Sequence, residues 1–272
     1  MKALLNGCAL VALLAGAAGP ALAQDQGQAA ASSDPVALSQ PEQTFFASIG
    51  RHLTDSASAY DTYVRHAEAI DPRFANADAV QVALRTGADY QPDQLEEGIV
   101  AYAALLALRD QAFVDGVRAQ ADAGFADRLI ASPGAVLQVP GARDAEADVI
   151  GVLRAHGAAL QTTGKAITQA AYDVQHQDWS KGPVANPVEV LAAIKASTLR
   201  ARAADLPTEK ALLVSLNGAP RTPADASAAP SGPVVRGLAL AALAVLGRTG
   251  EQDDARIEVL MEDRAMADCL KL

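Results

Sequence analysis

Apolar positions in this chain recur three and four residues apart, the spacing of a helix that buries one side. The first such series is Phe46, Ile49, Leu53, Ala57, Tyr60, Val64 and Ala67. Ser39-x-x-Glu42 opens it as a capping box, with Pro41 in the first turn, and Asp71-Pro72 closes it. Asn76 can cap a shorter helix over Ala77–Thr86, which Gly87 can end.

The stretch that follows, from Gln91 to Gly124, opens with Pro92 at a first helical position and with Asp93, Glu96 and Glu97 near the positive end of the helix dipole. From Ile99 to Leu108 every position except Tyr102 is aliphatic or alanine, so no face is left for water. Such a helix has to be surrounded, and it is the expected centre of a bundle. A short helix is predicted over 125–131. Ser132–Arg143 reads as a loop with two Pro-Gly turns.

Asp144 to Trp179 reads as one long helix. Wound at 100° per residue, it places Val149, Leu153, His156, Leu160, Ile167, Ala171 and Val174 on one stripe. His156 is therefore expected in the core with a hydrogen-bonding neighbour. Gly157, Gly164 and Ala171 edge the stripe, small enough to let another helix approach. Asn186-Pro187-Val188-Glu189 opens a helix to about Ala204, and another spans Thr208–Leu216. Asn217–Pro233 has the composition of a linker. Val234–Leu246 is apolar apart from Arg236 and too short to cross a bilayer, and a last helix follows from Glu251. No segment alternates as a strand does. The expectation is an all-α fold: an irregular helical bundle of roughly eight or nine helices with one apolar central helix, over residues 41–272, with a subdivision allowed in the 217–233 loop.

The N-terminus changes the picture. Lys2, an apolar run from Ala3 to about Ala17, a Gly19-Pro20 break and Ala21-Leu22-Ala23 have the form of a signal peptide, cleaved after Ala23. Residues 24–40 then form a polar leader. Export to the periplasm, or secretion, of a bacterial envelope protein is the reading. Loss of Lys2 leaves 21 basic against 32 acidic residues, a net charge of −11. That balance, with no basic cluster, argues against nucleic acid and anionic membrane surfaces as partners. Cys269 is then the one cysteine of the exported chain, so it has no internal disulfide partner. It is expected either as a buried free thiol, as the link of a covalent dimer, or as half of a pair whose other cysteine lies beyond residue 272.

Chemistry-bearing motifs are few. Asp173-x-x-His176 is the one acid-x-x-His spacing, too little for a helical metal site, and neither a metal nor a cofactor is expected. Gly157–Ala166 ends in Gly-Lys, but its first glycine is misplaced for a phosphate loop and Ala166 stands where Ser or Thr is needed. No activated-serine motif is present. Glu96/Glu97 and Asp253/Asp254 fall near helix starts, where acids are common anyway. What remains is the end of the long helix. There Tyr172, His176 and Trp179, with Lys165 and Gln169, fall on the side opposite the aliphatic stripe, and Asp173 and Lys181 add polar groups, as a recognition patch or as packing. With no catalytic constellation, the sequence favours a non-enzymatic protein that binds a protein partner or a cell-wall component. A glycan- or peptide-processing enzyme with a carboxylate acid/base would require a cleft holding an acid. A small-molecule carrier would require an apolar cavity.

Overall fold

The computed structural model describes residues 40–71, 73–74, 79, 82–83, 90–176, 183, 186–189, 191–192, 209–219 and 232–262, with 40–43, 174 and 210 described in backbone only. Within them the fold is all-α, with no strand: nine α-helices and two short 3-10 segments. The expected signal and leader (before residue 40), the expected Ser39 and Asn76 caps, most of the helix expected over Ala77–Thr86, Trp179, Lys181, most of the helix expected after Asn186, most of the 217–233 stretch and Cys269 lie outside the described residues.

The first apolar series is two helices, not one. Helix α1 spans Gln40–Ile49 and α2 spans Arg51–Glu68. The break is at Gly50, whose φ of 93° belongs to the left-handed region. A Cβ there would stand 1.8 Å from the Thr249 carbonyl oxygen, so both the turn and the neighbouring chain require glycine. The apolar period continues in phase through this turn, which is why the spacing alone does not reveal it.

The Gln91–Gly124 stretch also divides. Helix α3, Pro92–Ala107, starts with its proline at the expected place. Helix α4 is Gln111–Gln120, and its start is set by Asp110, whose carboxylate accepts the Phe113 backbone N–H at 2.8 Å. Helix α5 is Phe125–Ala131, as predicted. The expected loop after it carries a 3-10 turn, Pro133–Gln138, and sends Val136 and Val139 into the core. The long helix, α6, runs Ala142–Gln175. Helices α7 (Glu209–Gly218), α8 (Gly232–Val245) and α9 (Asp254–Met261) complete the set.

Helix α3 is the central one. Val100 to Ala107 are all buried, and α3 packs most extensively on α2 and α8, with α6 and α9 against it as well. Its contact with α8 is made of small residues. A Cβ on Gly237 would lie 2.6 Å from the Ala103 Cβ and 3.0 Å from the Val100 carbonyl oxygen. Its contact with α2 is equally close at one point, where a Cβ on Gly98 would meet the Tyr60 Cβ at 2.7 Å. Beyond that point tyrosine rings hold the helices apart. Next to Gly237 on α8, the Arg236 guanidinium donates to the Glu262 carbonyl at 2.7 Å, which ties α8 to the end of α9.

Candidate functional site

Two regions compete. The first is the patch expected at the end of α6. Tyr172 is 57% exposed, and its ring stacks on His176 with centroids 3.9 Å apart and planes 29° from parallel. The His176 Nδ1 lies 2.7 Å from the Tyr172 carbonyl oxygen, to which it donates when protonated there. Asp173 accepts from the Gln169 side-chain amide at 2.8 Å. The structure thus brings Tyr172, His176 and Asp173 together on an exposed helix face. Their contacts are with one another and with their own turn, the pattern of a solvated helix end. Among the described residues no helix makes the close approach expected at Gly157 and Gly164: no described atom lies within 4 Å of where a Cβ would stand on either.

The second region was not singled out by sequence reasoning. Between α2, the start of α3 and α6 is a half-open groove of about 400 Å³. Tyr60 and Tyr63 come from α2, one turn apart. Tyr90 and Pro92 lie at the start of α3, and Leu95, Glu96 and Ile99 follow on its first turns. The far wall is α6, with Leu153, Gly157 and Leu160. These three sit at i, i+4 and i+7, one face of a helix. The glycine between two leucines recesses the wall, so the small residue here opens space for a guest.

Below the groove the rings pack as a cluster. Tyr60 lies 5.4 Å from Tyr102 and 5.9 Å from His156, and Tyr102 lies 5.5 Å from His156, centroid to centroid. These are the tilted geometries that aromatic quadrupoles favour. The Tyr60 hydroxyl is 3.4 Å from the His156 Nδ1, which supplies the core partner expected for that histidine. The Tyr102 hydroxyl is 3.4 Å from Ser215 Oγ on α7. At the rim Tyr63 and Tyr90 meet edge to face at 5.2 Å, and the Tyr90 hydroxyl reaches His66 Nδ1 at 3.5 Å.

Burial governs the protonation of this cluster. It pushes the Tyr60 phenol well above the ordinary tyrosine range, with the neighbouring Tyr102 adding to it. The Tyr102 phenol is pushed up to about 12, again by burial, although its contact with Ser215 works the other way. Burial lowers His156, against the pull of Glu68 and Asp61. Both phenols and the imidazole are therefore neutral at pH 7. Glu96 is 4% exposed although it lies one turn inside α3, past the positions where the helix dipole explains an acid. Beside it, burial raises the Glu97 carboxyl.

Chemically the described lining of the groove offers mostly apolar contact, with ring faces for stacking, phenol donors and the Glu96 carboxyl group. One cue for it was present in the chain. Four of the five tyrosines, Tyr60, Tyr63, Tyr90 and Tyr102, fall in a single stretch of an otherwise aliphatic core. Among the described residues no three His, Cys, Asp or Glu side chains converge as a metal site, and no helix is long and apolar enough to cross a membrane. No family model, curated protein or solved structure matches the chain.

Proposed function

We propose that this is an exported bacterial binding protein that carries a small, largely apolar molecule in the groove between α2, α3 and α6. The observation that supports it is the groove itself. Its volume, about 400 Å³, falls within the range of small-molecule sites, and its lining is mostly apolar with few polar groups. Neutral, hydrogen-bonded tyrosine and histidine side chains beneath it form a firm floor for a guest. The export part of the proposal rests on Lys2, the apolar run and Ala21-Leu22-Ala23, and predicts Gln24 as the N-terminus of the protein recovered from the periplasm.

Titration with N-phenyl-1-naphthylamine, a neutral apolar dye, tests the groove. Saturable fluorescence enhancement at one site per chain is expected. Gly157→Leu, which places a side chain into the recess, should abolish it while leaving the melting temperature unchanged or higher. Binding that persists in that variant, or no saturable binding at all, would overturn the proposal.

A second reading, a processing enzyme with a carboxylate acid/base, draws on Glu96. Glycoside cleavage by the usual route needs two acids across the bond, and Glu96 is the one acid among the described lining residues. Binding to a protein partner draws instead on the exposed Tyr172–His176 stack.

A further inference from the structure

Building on the carrier reading, we propose that the groove selects a guest with a flat aromatic ring over one with an alkyl chain, the ring lying between Tyr60 and Tyr63 of α2 and the recess at Gly157 of α6. The chain has five tyrosines, and three of them, Tyr60, Tyr63 and Tyr90, line this groove. Elsewhere the core is largely aliphatic. Aliphatic walls are enough for an alkyl chain, which gains by leaving water. Rings add a directional attraction, because the positive edge of one ring is drawn to the negative face of another.

The rings are held ready for such a contact. Tyr60 and Tyr63 are three apart in sequence, so they project from one face of α2. Tyr60 is fixed at both ends. Its Cβ would stand 2.7 Å from a Cβ added to Gly98, and its hydroxyl is 3.4 Å from the His156 Nδ1. Tyr63 is half-buried and braced edge to face by Tyr90, with centroids 5.2 Å apart. The pairs among Tyr60, Tyr102 and His156 are tilted, at 5.4 to 5.9 Å. A guest ring would extend that series by one member. On the opposite wall Gly157 puts bare helix backbone between Leu153 and Leu160, with no described atom within 4 Å of where its Cβ would stand. A flat body can lie in that hollow with the leucines at its borders. A rigid ring also loses less torsional freedom on binding than an alkyl chain does.

Three neutral alcohols of equal carbon count separate ring from chain: 4-phenylbutanol, 4-cyclohexylbutanol and 1-decanol. Calorimetric titration of the full chain should find the phenyl alcohol at least as tight as the two saturated ones, although water expels those more strongly. Tyr63→Leu should weaken the phenyl alcohol about two- to tenfold and leave the cyclohexyl alcohol nearly unchanged. Tyr63→Phe, which keeps the ring, should retain the preference. Tighter binding of either saturated alcohol by the unaltered chain would overturn the ring assignment and leave the carrier reading standing, whether or not the leucine variant folds. Equal weakening of both ring alcohols by Tyr63→Leu, or loss of the preference in Tyr63→Phe, would do the same. Binding of none of the three would count against both.

Discussion

The central helix has two unlike sides. Toward α8 it presents alanines and receives Gly237, and the two backbones close until even a methyl group has no room. Toward α2 and α6, past the contact at Gly98, it meets Tyr60, Tyr63 and His156, and the helices part around a groove. Both sides are apolar. Side-chain size decides which becomes sealed core and which becomes a cavity, because small residues bring backbones together and rings prop them apart.

Truncations in the two regions should differ most. Leu105, fully buried in α3, should cost about 2–5 kcal/mol as Leu105→Ala. Leu160, half-buried on the groove wall, already faces open space, and Leu160→Ala should cost roughly 1 kcal/mol, since less apolar area leaves water there on folding. Urea denaturation of both variants checks the contrast. Equal losses would mean that the groove is closed core.

Additions should reverse the order. Gly237→Ala improves helix propensity but forces a methyl group against the Ala103 Cβ and the Val100 carbonyl, neither of which can swing aside. A net loss of about 1–2 kcal/mol is expected. Gly157→Ala has the same propensity gain and open space around it, and should stabilise by about 0.5–1 kcal/mol. The opposite signs of one substitution at two helical glycines, read from thermal melts, are the sharpest form of the comparison.

The ring cluster adds a smaller, pH-dependent difference. His156 titrates below its unfolded value, so its contribution is complete above about pH 6.5 and fades as pH falls below that. The tyrosines titrate above theirs. Their contribution is complete below about pH 10 and is lost as pH rises toward the folded value of about 12 for Tyr102. A stability profile with both shoulders is expected. His156→Gln should flatten the acid shoulder and leave the alkaline one.

Most of the fold could be read from the chain, because its signals are local. An apolar surround at 99–108, Pro92 at a helix start and the stripe containing Val149 and His156 each act within a few turns. The break at Gly50 was hidden for the opposite reason. It is required by Thr249, about 200 residues away, while the local spacing passes through it undisturbed. The groove has the same character. Tyr60, Glu96 and Gly157 come from three helices, and nothing local says that they share a space. Glu96 was read with the helix dipole because its burial depends on those partners. Gly157 was read as a contact because a missing side chain looks the same in sequence whether it admits a helix or leaves a hollow.

Helix α6 runs roughly 51 Å at 1.5 Å per residue, yet its buried positions end at Val152, and from Leu153 onward no described residue is fully buried. Its amides should therefore not exchange with solvent as one unit. Near Val149 and Val152 a proton is released when the whole domain opens. Toward Thr168 and Tyr172 it is released by fraying that leaves the core intact. The boundary between the two regimes falls at Leu153–Leu160, the wall of the groove. A guest lodged there would extend slow exchange outward along the helix, so the length of the protected segment would serve as a measure of occupancy.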